Sequence, residues 1–149
     1  MTSTLPAAFC PVPESRSPLP PALDTALAAL FGTRYSRGDS TRLQHGRDES
    51  VHEPLLPDAV ALATDTAEVA AAVRLCAEHG VPVIPYGVGS SVEGHVLAPR
   101  GGLSLDLSGM TRILAIHAED GDAVVEAGVT RKQLNEALKG TGLFFPIDP

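Results

Sequence analysis

The sequence predicts an α+β fold in which a βαβ unit with parallel strands is followed by a small antiparallel sheet with helices. Three observations predict it. Two short apolar runs, residues 59–63 and 81–86, flank a segment with helical spacing, which gives strand, helix and strand. Two further apolar-rich runs, residues 112–117 and 122–127, are joined through Glu119-Asp120-Gly121, and Asp-Gly between such runs signals a hairpin. Between these units lies Pro85-Tyr86-Gly87-Val88-Gly89-Ser90-Ser91-Val92-Glu93-Gly94-His95, a glycine-rich loop at the carboxyl end of the second strand, where open α/β sheets bind ligands.

In chain order, residues 1–22 read as a flexible, proline-rich lead-in that belongs to no core. Five of the twelve residues from Pro11 to Ala22 are proline, which sets φ and removes donors. The domain then runs over residues 23–149. A short Ala/Leu helix over 24–31 stops at Gly32. Residues 33–53 hold four Arg, four acids and two His with no hydrophobic period, the pattern of a solvated loop. Asp65 with Glu68 supplies a capping pair. Val69, Ala72, Val73 and Cys76 then fall at i, i+3, i+4 and i+7, and Gly80 ends the helix. Residues 101–107 alternate Leu103, Leu105 and Leu107 with Ser104 and Asp106, a strand with one face buried. After the hairpin, Thr130 and Gln133 form a second capping box, Leu134, Ala137 and Leu138 an apolar stripe, and Gly140 a stop. There are no internal repeats.

Composition narrows the function. A chain of 149 residues with 44% hydrophobic content and 14 Gly can bury one ordinary globular core. Its net charge is −7 and no stretch concentrates Lys or Arg on an aromatic-bearing face, which argues against a nucleic-acid partner. No apolar run approaches the roughly 20 residues that span a bilayer, and no secretory signal is evident at the N-terminus. The expected setting is cytoplasmic, with a peripheral position at the inner membrane as the second placement. Cys10 and Cys76 are too differently placed for a structural disulfide, and Cys76 reads as a small buried hydrophobe.

The loop carries the chemistry. Gly87 and Gly89 can take positive φ and let a ligand approach the main chain, so successive N–H groups can converge on an anion. Ser90 and Ser91 add donors without charge. The expected ligand is a diphosphate held by backbone. A Rossmann G-x-G-x-x-G would need Gly where Val92 stands, and a P-loop would need a Gly-Lys-Ser/Thr end where Glu93 has the wrong sign and the next cation is Arg100. A bare G-x-G is more often only a turn.

Strand, Pro, x-Gly-x-Gly-Ser-Ser-x-x-Gly and then more strand resembles the pyrophosphate loop of FAD-binding domains of the vanillyl-alcohol-oxidase and p-cresol-methylhydroxylase (PCMH) class. The resemblance covers residues 34–149. It is sharpest at Gln44-His45-Gly46-Arg47-Asp48-Glu49-Ser50-Val51-His52, at 85–94, at Val129-Thr130-Arg131-Lys132-Gln133-Leu134-Asn135 and at Phe145-Pro146-Ile147-Asp148-Pro149. Together these look like the cytochrome-linked D-lactate dehydrogenase branch. The resemblance implies an FAD enzyme that takes a hydride from a D-2-hydroxy acid, D-lactate giving pyruvate, and passes electrons to a cytochrome or quinone-type acceptor. It implies that Pro85, Tyr86, Gly87, Val88, Gly89, Ser90, Ser91 and Gly94 contact the pyrophosphate and ribityl region, and that Pro146, Asp148 and Pro149 open a second FAD-contacting loop. It further implies that the chain is the N-terminal, C-terminally truncated part of the FAD domain, with a substrate domain, catalytic histidine and metal cluster elsewhere in the protein. The 149 residues alone are then expected to be inactive, with no catalytic or metal residue among them. A glycolate oxidase subunit, a D-2-hydroxyglutarate dehydrogenase, the reductase of cell-wall precursor synthesis, which shares this flavin domain, and a non-catalytic binding domain are the alternatives.

Several polar residues near the loop admit two roles. His95 could tether FAD covalently but reads better as a satisfied loop residue. His45 and His52, with Asp48 and Glu49, could offer metal ligands, though their spacing fits no standard zinc pattern and an Arg47–Asp48 ion pair is the preferred account. Glu93 would repel a diphosphate unless it points into solvent.

Overall fold

The computed structural model describes residues 18–147, so Cys10, most of the proline-rich lead-in, Asp148 and Pro149 lie outside the described residues. The elements are α1 (Pro21–Phe31), a 3-10 turn (Gly32–Arg34), β1 (Tyr35–Ser36), α2 (Asp39–His45), β2 (Ala59–Leu62), α3 (Thr66–Glu78), β3 (Val83–Tyr86), β4 (Leu103–Asp106), β5 (Ile113–His117), β6 (Asp122–Val125) and α4 (Arg131–Ala137). They form the expected α+β arrangement, a mainly parallel sheet followed by an antiparallel hairpin. No described helix is long and apolar enough to cross a membrane.

The larger sheet has the order β1-β2-β4-β3. β2 and β3 each pair with β4 in parallel, while β1 runs antiparallel along β2. The strand–helix–strand unit β2-α3-β3 therefore brackets a strand that comes later in sequence. β4 fills that gap and is covered on both faces: Leu103, Ser104 and Leu105 are all buried, where alternation had suggested one buried face. A parallel strand at the centre of a sheet is normally packed on both sides.

Strand alternation sorts the two faces. Ala59, Ala61, Leu103 and Leu105 meet α1 and α3 through Leu23, Leu27, Phe31, Ala72 and Cys76. The Cys76 thiol is free and buried as expected, and burial pushes its pKa up to about 11. Val60, Ser104, Tyr86 and Asp106 point to the other face, where His45, Val96 and Ala98 are buried.

Several boundaries differ from the sequence reading. α1 begins at Pro21 because proline suits the first turn of a helix, and Leu19 is buried in the core rather than outside it. Residues 33–53 are not a plain loop. They contribute β1 and α2, and Tyr35 donates its hydroxyl to Asp24 at 2.6 Å. On α3, Val73 is exposed and Leu75 takes its place against the core. Asp65 caps Glu68 N–H at 2.8 Å, but Glu68 turns outward to the Thr64 N–H and to Arg34 instead of closing the box. Arg34 grips both Glu68 oxygens and the Leu62 carbonyl, riveting the 3-10 turn to the β2-α3 junction.

Two outcomes follow from this packing. Leu27→Ala removes a fully buried side chain between α1 and α3, and should cost about 3 kcal/mol, read as a lower urea midpoint at unchanged slope. The hydrogen bond from Arg34, against the opposing effect of burial, lowers the Glu68 carboxyl from 4.5 to about 2. That contribution is complete above 4.5 and is lost as pH falls towards 2, so Glu68→Gln should lower stability at neutral pH and flatten the acid limb of the unfolding curve over that window.

Candidate functional site

β3 and β4 end side by side, with Tyr86 opposite Asp106. The Leu107 N–H donates to the Tyr86 carbonyl at 2.9 Å and fixes where the glycine loop departs. No strand follows the loop directly, contrary to the sequence reading. The chain stays irregular up to Leu103, with turns at 95–96 and 99–100. Gly89 (φ 69) and Gly94 (φ 76) adopt left-handed backbone. Gly87 does not, and a Cβ there would meet nothing within 4 Å, so the freedom expected of both early glycines is used by Gly89 alone. A Cβ at Gly89 would lie 2.6 Å from the Tyr86 hydroxyl. Among the described residues, the N–H groups of Val88, Gly89 and Ser90 donate to no partner in the chain.

The segment after α2 holds this loop from behind. Glu49 N–H donates to the Ser91 carbonyl at 2.9 Å, Leu55 N–H to the Gly46 carbonyl at 2.8 Å, and Ala98 N–H to the Leu55 carbonyl at 2.9 Å. Gly46 is required by close approach, since a Cβ would lie 2.7 Å from the Leu56 Cα. Asp48 does not pair with Arg47. Its Oδ1 accepts the Ser50 N–H at 3.0 Å. Ser50, with smaller help from Ser91 and Gly94, holds the carboxyl below the usual range against the effect of burial. His95 Nδ1 lies 2.5 Å from the Ser91 hydroxyl, which also accepts the Glu93 N–H at 3.1 Å, and the Glu93 side chain is exposed. Among the described residues no group of three or more His, Cys, Asp or Glu is placed to hold a metal.

Behind the loop, on the sheet, lies His45. Its ring is buried, 2.9 Å from the Thr41 carbonyl through Nδ1 and 3.0 Å from Asp106 Oδ2 through Nε2. It also stacks at 4.1 Å and 43° on Tyr86. Burial disfavours the charged ring, but the bond to Asp106, the Thr41 carbonyl and the Asp106 charge prevail and raise its pKa. Asp106 is lowered: burial works against ionisation, and His45 and Ser108 outweigh it.

In front of the loop is a cleft of about 580 Å³, lined by Gly87, Val88 and Ser90 on one side and by Ser108, Thr111 and residues 127–131 and 133 on the other. The far wall is pressed against the end of β4. Gly128 N–H donates to the Met110 carbonyl at 2.8 Å, and a Cβ at Gly128 would lie 2.3 Å from the Leu107 carbonyl oxygen. Arg112 binds the buried Glu126 through its own N–H at 2.8 Å and its guanidinium at 2.7 and 2.9 Å, and those bonds hold the Glu126 carboxyl below the ordinary range. The Thr130–Gln133 capping box starts α4 as expected. Asn135 then exchanges two hydrogen bonds with the Phe145 backbone at 2.7 and 3.0 Å, tying residues 143–147 to α4.

Of the predicted contact residues, the structure brings Gly87, Val88 and Ser90 to the cleft, with Gly89 at its rim. Tyr86 is buried beneath the loop, and Pro85 is exposed on β3. Ser91 and Gly94 face the 48–52 segment rather than the cleft. Pro146 is exposed on the segment tied to Asn135, and Asp148 and Pro149 lie outside the described residues. Sequence reasoning missed Ser108, Thr111 and the 127–130 wall as cleft lining. The Thr130 capping box marked that neighbourhood without giving it a role. The cleft offers unpartnered N–H groups and hydroxyls, with Arg131 as the one charged side chain among its described lining residues. That is binding chemistry for an anion rather than acid–base or nucleophilic chemistry.

Comparison with known proteins bears on this cleft. The FAD binding domain family matches residues 57–149. A probable mitochondrial D-lactate dehydrogenase of Danio rerio is 46% identical over 114 residues, covering 76% of this chain and 23% of that protein. A mitochondrial cytochrome-type D-lactate dehydrogenase of Arabidopsis thaliana is 39% identical over 133 residues, covering 88% of this chain and 24% of that protein. Among solved structures, substrate-bound p-cresol methylhydroxylase superposes with a TM-score of 0.65 at 26% identity, covering 79% of this chain and 24% of that one. The chain thus spans about a quarter of the length of the curated relatives it matches.

The far wall can be tested without any ligand. Gly128→Ala forces a methyl into the Leu107 and Met110 carbonyls, and should destabilise the domain by about 1–3 kcal/mol in urea, with the loss concentrated in amide exchange of β5 and β6.

Proposed function

The chain belongs to the FAD binding domain family, and on that footing we propose that it is the FAD-binding portion of a flavoprotein oxidoreductase that oxidises a D-2-hydroxy acid, D-lactate to pyruvate, with a cytochrome or quinone-type acceptor. The observation that carries the proposal is the set of unpartnered N–H groups of Val88, Gly89 and Ser90 at the carboxyl ends of parallel strands, above a cleft with room for part of a dinucleotide. The residues present fit the cofactor. Main-chain donors suit a diphosphate, and the left-handed Gly89 leaves the approach free of side chain.

When bound, FAD supplies the hydride-accepting chemistry. The chain's own part is to bind and orient. Val88, Gly89 and Ser90 present N–H groups to the diphosphate, and the Ser90 hydroxyl adds a donor. The 127–130 wall faces them across the cleft. The hydroxy acid and the acceptor are proposed from the D-lactate dehydrogenase relatives, with no residue of this chain given a catalytic role.

Titration of the 149-residue chain with FAD and with FMN tests the cofactor proposal. Saturable binding that prefers FAD is expected. Gly89→Val, which combines a positive φ with a clash on Tyr86, should weaken it by at least about tenfold. Binding of neither flavin, or unchanged retention in the variant, overturns the assignment of the loop. Exchanging this chain for the matching quarter of the zebrafish relative tests the larger proposal. The flavin-loaded hybrid should reduce dye with D-lactate, which would show that this chain serves as the flavin portion of such an enzyme, and a loaded hybrid that stays inactive sinks that role.

A further inference from the structure

We propose that His45 is a positioning residue of the cofactor site: as an imidazolium held between the Thr41 carbonyl and the Asp106 carboxylate it fixes Tyr86 beneath the glycine loop, and loss of its proton loosens the loop and weakens flavin binding. The proposal deepens the FAD assignment above and rests on it for its last step only.

The geometry leaves the ring little choice. A carbonyl oxygen and a carboxylate oxygen only accept, and they sit 2.9 and 3.0 Å from the two ring nitrogens, so both nitrogens must carry hydrogen. Remove one proton and a lone pair faces an oxygen at hydrogen-bond distance in a buried site. The ring must then turn or shift. It cannot do so alone, because it stacks on Tyr86, and the Tyr86 hydroxyl occupies the space beside Gly89 where a Cβ would stand. Movement of His45 is therefore transmitted through one aromatic contact to the residue with the left-handed φ that shapes the cradle. Deprotonation also leaves the Asp106 carboxylate uncompensated at the strand ends where an anion is to bind, which opposes the anion directly.

Other than the Ser108 N–H, no neighbouring group among the described residues lies within hydrogen-bond reach of the Asp106 carboxylate in place of His45. Asp106 Oδ1 is taken by the Ser108 N–H at 2.8 Å. Arg42, on the same helix as His45, is committed to the Pro57 carbonyl and to Asp39. Arg47 follows α2 and acts electrostatically on Tyr86, whose phenol pKa is raised first by burial and then by Asp106. From the loop side His52 packs against Gly94 and His95 against Ser91. His45 is raised above 6.5, so the paired state persists through and above that value and is lost as pH climbs past the folded pKa. Asp106 is lowered, so the pair also survives until pH falls below the ordinary carboxylate range.

The test titrates the His45 ring proton and the Gly89 amide by NMR in flavin-free chain, then repeats the FAD titration across the same pH range. His45→Gln keeps a donor for Asp106 but cannot titrate. In the wild-type chain Gly89 is expected to shift with the His45 midpoint, above 6.5. FAD affinity should fall over the same interval, tenfold for each unit by which flavin raises that midpoint. In His45→Gln the Gly89 inflection and the pH dependence of affinity should both disappear, whereas a merely structural role would lower affinity equally at every pH. A Gly89 inflection that survives in the variant, through His52 or His95, overturns the proposal. So does a wild-type Gly89 midpoint that departs from that of His45, a comparison that holds even if the variant fails to fold. If no FAD binds at any pH, the cofactor assignment fails, while the flavin-free Gly89 titration still decides the coupling.

Discussion

The insertion of β4 between β2 and β3 is the constraint on which the rest of this structure depends. Because β4 runs parallel to β3, the chain must return from the carboxyl end of one strand to the amino end of the next, and it does so with the sixteen irregular residues between Tyr86 and Leu103. Parallel crossovers of this length usually use a helix. Here the connection is the glycine loop itself, whose later part is tied to Leu55 and buries Val96 and Ala98. One segment both carries the unpartnered N–H groups and contributes buried side chains. That explains why it is so heavily supported from behind, by the Glu49–Ser91 and Leu55–Ala98 backbone bonds and by His45 under Tyr86.

A second constraint joins the two sheets. A two-stranded hairpin is at best marginally stable alone in water. β5 and β6 expose Leu114, Val124 and Val125, so their order relative to the rest comes from a narrow seam. At that seam Gly128 and Gly109 allow contacts that a Cβ would forbid, with the Leu107 and Ala63 carbonyls respectively, and Arg112 with Glu126 staples the hairpin's open end. The cleft exists because this seam sets the 127–130 segment opposite the loop at the strand ends.

Much of this was legible in the sequence where the signal is local. The α3 stripe, both N-caps, the Asp120-Gly121 turn and the glycine loop announce themselves within a few residues. β1 and α2 did not, because two residues give one strand period and seven give barely two helical turns, too few repeats for a pattern to show. The central place of β4 did not either, since periodicity reports a strand's burial but not its neighbours. His45 sits in a stretch whose polarity reads as a solvated loop, because a buried imidazole is recognisable only by its partner, and Asp106 lies 61 residues away. The far wall of the cleft was hidden for the same reason: Ser108 and Thr111 match no motif and matter only through where the hairpin seam puts them.

A cradle made of main-chain donors in a chain of net charge −7 differs from one built on lysines. A cation attracts a diphosphate over several ångströms and tolerates small errors in its own position. An amide N–H does neither, because its hydrogen bond weakens steeply with distance and angle. Such a site must obtain affinity from the accuracy with which a few peptide groups are aimed. Accuracy of that kind is costly in a loop with two left-handed glycines unless something else fixes it. On the proposed reading, the residues that matter for binding therefore include those that support the loop: Gly46 and Asp48 behind it, and Tyr86 with His45 beneath it. Besides Arg131 in the cleft wall, charge stands one layer below the surface in the His45–Asp106 pair, where on that reading its first effect is on geometry.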